Sequence, residues 1–301
     1  MAHAGLGPSG PPPLGPEGFD WTAWSVDPSV PVGLLVLGGA YAVALHRRRA
    51  RCPETGVDWP RCGAFAGALI LLLGVLTGPL HDLSDYYLFS AHMIQHLLLV
   101  FAMPPLLLHG VPGWMLLPLV PRGRRLDWLR RLTRPSGAFF AFNTVLVLWH
   151  LPPMYDLAMR ARPVHVVQHL MIMAVSVLLW WPLLSPLPEL PRAPYPVQML
   201  YLFVVGLPMV IVSIFITMAD GLLYPYYAAA PRVWSWLTPR EDQHVGGLIM
   251  WIPGGLVFLV ALSVVFFRWQ AAGADDVLVA GDRGPAAPAD VDGEPESSRA
   301  R

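Results

Sequence analysis

Seven uncharged apolar runs, each close to the length that crosses a bilayer, restrict this 301-residue chain more than any other feature. Wound as a helix, about 20 such residues match the hydrocarbon thickness. The runs fall at about 30–46, 63–80, 87–108, 136–151, 163–184, 197–218 and 244–268, the sixth interrupted by Gly206 and Pro208. They predict an all-α fold, an integral membrane bundle of seven transmembrane helices. With 55% of residues hydrophobic and 13% charged, no water-soluble domain large enough to fold alone is left over. A formal net charge of zero argues against a nucleic-acid partner.

The flanks differ in composition. Residues 1–29 are rich in Pro and Gly, carry Trp21 and Trp24, and lack the charged start and apolar centre of a signal peptide. They are expected to form a mostly irregular extracytoplasmic leader. Residues 269–301 are dominated by Ala, Gly, Pro, Asp and Glu, which cannot bury a core, and a disordered cytoplasmic tail is expected there.

All 20 basic residues are arginines, and their placement sets an orientation. Arg47, Arg48, Arg49, Arg51 and Arg61 follow the first span. Arg122, Arg124, Arg125, Arg130, Arg131 and Arg134 follow the third. The leader and the 81–86 connection have none, and the loops near 155 and 230 have two each. Because Arg-rich short loops remain cytoplasmic, the N-terminus is expected outside and the C-terminus inside. The two cysteines, Cys52 and Cys62, then fall on the cytoplasmic side, where neither a disulfide framework nor a CxxC site can be read from them.

That orientation gathers seven of the ten histidines in one outer layer. Within the third span, His92 and His96 are four residues apart and so share a helix face, with Gln95 beside them. The pattern recurs in the fifth span as His165, Gln168 and His169. His81 and His150 end the second and fourth spans, and His244 opens the seventh. Ionisable side chains inside a membrane are costly and mark functional sites by default. A single such histidine is readily explained by an interhelical hydrogen bond; two converging pairs are better explained by a shared ion.

Neutral imidazole is a common metal ligand, and with no cysteine in the layer a site must be built from His, Met, Asp and water. Copper suits nitrogen and thioether donors, while zinc and haem iron fit the nitrogens nearly as well. Met154 is a candidate thioether. Asp82, Asp156 and Asp242 are placed either to orient ring N–H groups or to cap helices, and Gln243 belongs to the same layer. No hydrolase triad, phosphate-binding glycine loop or nucleotide site is present, and HxxxH lacks the glutamate of zinc proteases, so a non-enzymatic role is expected.

Taken in order, the run Leu88 to Leu99 with Pro104-Pro105, then Trp149-His150-Leu151-Pro152 with Tyr155-Asp156, then His165-Val166-Val167-Gln168-His169 with Trp180-Trp181-Pro182, and Asp242-Gln243 before Gly246-Gly247, resemble the CtaG family of bacterial cytochrome c oxidase assembly factors over about 63–268. The resemblance implies a multi-pass protein of the bacterial plasma membrane that assembles an aa-type or caa-type oxidase, has oxidase subunits as partners, and handles copper for them. It carries His92, His96, His150, His165 and His169 over as the motif histidines; where the family often has an acidic residue, this chain has Gln168. Two alternatives stand beside it: a haem-binding electron carrier with bis-His ligation, and a copper transporter. The transporter would need ligands continuing inward, and beyond His96 and His169 those spans are almost wholly apolar.

Overall fold

The computed structural model describes residues 14, 18–22, 24–54 and 56–282, with side chains to 273. The rest of the expected leader and the 283–301 part of the expected tail lie outside them. The chain begins with α1 (Ser29–Arg51), α2 (Trp59–Thr77) and the short α3 (Pro79–Asp82), which runs into a π-helical turn at Leu83–Tyr87. Next come α4 (Phe89–Leu97), a second π-helical turn (Leu98–Ala102) and α5 (Met103–Gly110), which together make one span. A single-turn α6 (Gly113–Leu116) and the Arg-rich α7 (Arg124–Thr133) lead to α8 (Pro135–His150) and α9 (Pro152–Arg160). The remaining helices are α10 (Arg162–Leu184), α11 (Tyr195–Thr217) and α12 (Pro239–Asp282).

Among the described residues, six helices are long and apolar enough to cross a membrane, seven when the bent pair α8 and α9 is counted as one span. Large apolar side chains such as Leu35, Ile70, Phe203, Phe215 and Phe267 face outward, as a lipid-immersed surface requires. The main core joins α4, α8, α10, α11 and α12 through Met93, Phe142, Leu179, Met209 and Met250. In contrast, α1 buries no residue and rests on α2.

The breaks in the helices have chemical causes. Neither Pro104 nor Pro105 has an N–H to offer the carbonyl of Val100, so the helical ladder opens there. The indole of Trp180 in α10 donates to that carbonyl at 2.9 Å and holds the two spans together at the break. Pro152 and Pro153 stop α8 after His150, and the chain turns by 75° into α9. Thr238 and Glu241 cap the start of α12 reciprocally, at 2.8 and 3.3 Å, around Pro239. Small residues set the closest approaches. A side chain at Gly246 would collide with the ring of Phe89, and one at Gly110 with the backbone of Phe65, so α12 reaches α4 and α5 reaches α2 only because these are glycines.

Two expectations from the sequence change. Gly206 and Pro208, read as interrupting the sixth span, lie inside an unbroken α11. The last helix continues to Asp282 instead of ending near 268; the residues after Arg268 include no proline before Pro285, and four alanines, a leucine and a glutamine among 269–282 favour helix. Averaging composition over the whole tail hides that local continuity.

Candidate metal centre

Helices α4 and α10 lie so that their histidine pairs face each other. The ring centroids of His92 and His96 are 4.1 Å apart, and those of His165 and His169 4.4 Å, as expected one helical turn apart. Across the gap, His92 is 6.0 Å from His165 and 6.4 Å from His169, and His96 is 5.7 Å from His169. The four imidazoles form a box, all of them buried, with His92 fully so.

A carboxylate completes this box. Asp85, on the first π-helical turn and fully buried, places Oδ2 3.5 Å from His165 Nδ1 and Oδ1 3.4 Å from His81 Nδ1. One donor atom each from Asp85, His92 and His165 lies within 4.8 Å of the others, close enough for one ion to meet all three. Among the described residues, both nitrogens of His92, and Nε2 of His96, His165 and His169, find no hydrogen-bond partner. A buried polar atom left unpaired costs roughly 1–3 kcal/mol, and the chain concentrates such atoms here. The sequence does not single out Asp85, although it sits four residues after His81, the same spacing that flags the histidine pairs.

Each remaining candidate has a definite place. His81 Nδ1 accepts from the Gln95 amide at 3.2 Å, with Asp85 Oδ1 lying 3.4 Å away. Gln95 also donates to the Val75 carbonyl at 2.8 Å and accepts from Ser84 Oγ at 2.9 Å, so it positions His81 and does not join the box. Gln168 is fully buried with both amide atoms unpaired. His150 spends Nδ1 on the Leu146 carbonyl at 2.7 Å and leaves Nε2 unpaired. It lines, with His96 and Trp149, an otherwise apolar cavity of about 40 Å³.

Asp242 takes the helix-capping option. It accepts from Phe89 N at 2.7 Å, Ser90 N at 3.1 Å and Ser90 Oγ at 2.5 Å, satisfying the orphan amides at the start of the helix that carries His92 and His96. Gln243 braces the connection before α12 through Leu223 N (2.7 Å) and Gly221 O (3.3 Å). Asp156 pairs with Arg160 at 2.6 Å on the surface of α9, while Met154 packs against the main core. His244 is half-buried with Nε2 unpaired and makes no ring contact with the box. Asp82 accepts from Ser25 Oγ at 2.9 Å; burial raises its carboxyl above the usual range, and the serine hydroxyl offsets part of that.

Tyrosines cover the box. Tyr155 on α9 sits 5.2 Å from His92, and its hydroxyl meets that of Tyr227 at 3.0 Å. Tyr227 in turn donates to the Ser84 carbonyl at 2.6 Å, and Tyr226 to the carbonyl of Asp85 at 3.0 Å. Burial raises the Tyr227 phenol far above its ordinary range, so it remains a neutral donor. Sequence reading misses Tyr226 and Tyr227 because they come from the 220–238 connection, distant in the chain from both histidine pairs.

The sequence model of the cytochrome c oxidase caa3 assembly factor family matches residues 39–272. An uncharacterized protein of Mycobacterium leprae is 24% identical over 267 residues, 83% of this chain and 40% of that protein. Uncharacterized proteins of Mycobacterium bovis and Mycobacterium tuberculosis are each 25% identical over 266 residues, covering 82% of this chain and 39% of theirs. The chain therefore spans about two fifths of the length of the curated relatives it matches. No solved structure matches it.

Proposed function

The chain belongs to the family of cytochrome c oxidase caa3 assembly factors, and we propose that it serves oxidase maturation by holding copper in the imidazole box beside Asp85. One observation carries this reading: Asp85, His92 and His165 bring donor atoms within 4.8 Å of one another in a buried layer, and His92 has no protein partner for either nitrogen. A ligand ion is the economical way to satisfy such a cluster. Arginine bias supports an orientation with this end of the bundle on the extracytoplasmic side of a bacterial plasma membrane, N-terminus outside and C-terminus inside.

The donor set fits copper handled as cargo. Imidazole and carboxylate without thiolate suit a borderline divalent ion such as copper(II), and an incomplete cage permits exchange better than a closed thiolate site. His96 and His169 offer further nitrogens. Ser84 Oγ lies 3.1 Å from Asp85 Oδ1 and steadies the carboxylate from behind, as partners of metal ligands do. Bis-His haem is less well supported, because a macrocycle needs an open slot between two rings and His92 already has His96 and Tyr155 within 5.2 Å.

The test is complementation. In cells lacking this protein, the wild-type chain restores oxidase activity and the oxidase's copper content, while the His92→Ala/His96→Ala variant reaches the membrane at normal level and restores neither. Oxidase matured to full copper content by that variant would refute the copper role. A Soret band in the purified wild-type protein, with no bound copper, would transfer the site to haem.

A further inference from the structure

Far from the histidine box, the arginine-rich end of the bundle holds a cavity of about 640 Å³ lined by Arg48, Arg49, Arg61 and Arg192. One carboxylate, Asp58, faces these four guanidiniums, and it is already engaged: it accepts from Arg61 N at 3.2 Å and pairs with Arg61 Nε at 2.9 Å. Arg48, Arg49 and Arg192 have no carboxylate partner among the described residues. Two of the three are held in place. The guanidinium of Arg48 lies 4.4 Å over the Trp114 ring, and Arg192 Nε donates to the Ser185 carbonyl at 3.0 Å. Three uncompensated, partly fixed positive charges on one cavity call for an anion.

A second cavity, about 470 Å³, shares Arg192, Pro105 and Leu184 with the first and has Arg268 on its lining. Its walls are apolar, with Trp180, Leu183, Val257, Val260 and Val264 forming a groove between α10 and α12. A free inorganic anion has no use for such a groove. An amphipathic one does. We propose that the joined cavities bind an anionic phospholipid, the phosphate among Arg48, Arg49 and Arg192 and an acyl chain along the α10–α12 groove. A zwitterionic lipid supplies its own cation and gains less from this charge; basic pockets between membrane helices favour net negative headgroups for that reason.

The experiment compares lipids on the full-length protein by native mass spectrometry from mild detergent, with phosphatidylglycerol, phosphatidylcholine of the same chains, and inorganic phosphate as probes. Phosphatidylglycerol is expected to be retained on the order of tenfold better than phosphatidylcholine. R49A/R192A should abolish that preference and R49K/R192K should keep most of it. V260W, which fills the groove and leaves the arginines, should lower retention of phosphatidylglycerol. R124A/R125A on α7, outside both cavities, should change nothing, and an unchanged melting temperature identifies variants that have folded. Equal retention of the two lipids, or an equal loss in R124A/R125A, would overturn the site. Displacement by millimolar inorganic phosphate, with V260W indistinguishable from wild type, would overturn the lipid in favour of a free phosphate.

Discussion

In α4 the amide of Gln95 donates to Val75 at 2.8 Å and accepts from Ser84 at 2.9 Å, whereas in α10 the amide of Gln168, at the same place in the same five-residue pattern, meets no protein partner. The two copies of His-x-x-Gln-His thus share a spacing and little else. The first sits on a short helix started by a cap from Asp242 and ended by a π-helical turn. The second begins a regular helix of 23 residues. One glutamine has become scaffolding for His81; the other remains a buried polar group available to whatever enters the box. A local pattern fixes which side chains share a face, and the element packed against that face decides what each one does.

The comparison can be broken most forcefully at the rings. Replacing His92 and His165 together with Ala removes a donor from each copy, and copper affinity measured by competition with a chelator should fall by more than about 100-fold. Loss from one copy alone, with the other indifferent, would make the two halves independent sites. Next in size is Asp85→Asn, which keeps shape and removes charge between His81 and His165; affinity should drop by roughly 10–100-fold without loss of folded protein.

The glutamines sharpen the contrast. Gln95→Leu leaves the Val75 carbonyl and Ser84 hydroxyl without their buried partner and should cost about 1–3 kcal/mol in unfolding measured in mild detergent. Gln168→Leu removes an amide that bonds to no protein group, and stability should hold or rise slightly. Equal costs would contradict the division of labour. Asp242→Ala should cost about 1–2 kcal/mol by uncapping α4. The smallest effect is expected from Asp156→Ala, whose partner Arg160 is largely exposed: less than about 1 kcal/mol, with copper affinity unchanged.

Much of this architecture is legible before any coordinates. Apolar run length gives the spans to within about five residues except at the end of α12, Pro152 and Pro153 give the bend, and i,i+4 spacing gives the paired rings. What sequence conceals are contacts between distant elements. Asp242 is readable as a helix cap, but the helix it caps begins 153 residues earlier in the chain. Asp85 looks like one of several acids in a polar loop until the π-helical turn buries it against His165. The Val100 carbonyl, freed by Pro104 and Pro105, finds its donor 80 residues on in Trp180.

X-ray absorption at the copper edge of the purified full-length protein reads the proposed ligands themselves. About one copper per chain is expected, with nitrogen and oxygen neighbours and the outer scattering of several imidazoles, lost in the His92→Ala/His165→Ala variant. A shell containing sulfur, or copper bound equally well by that variant, would contradict it.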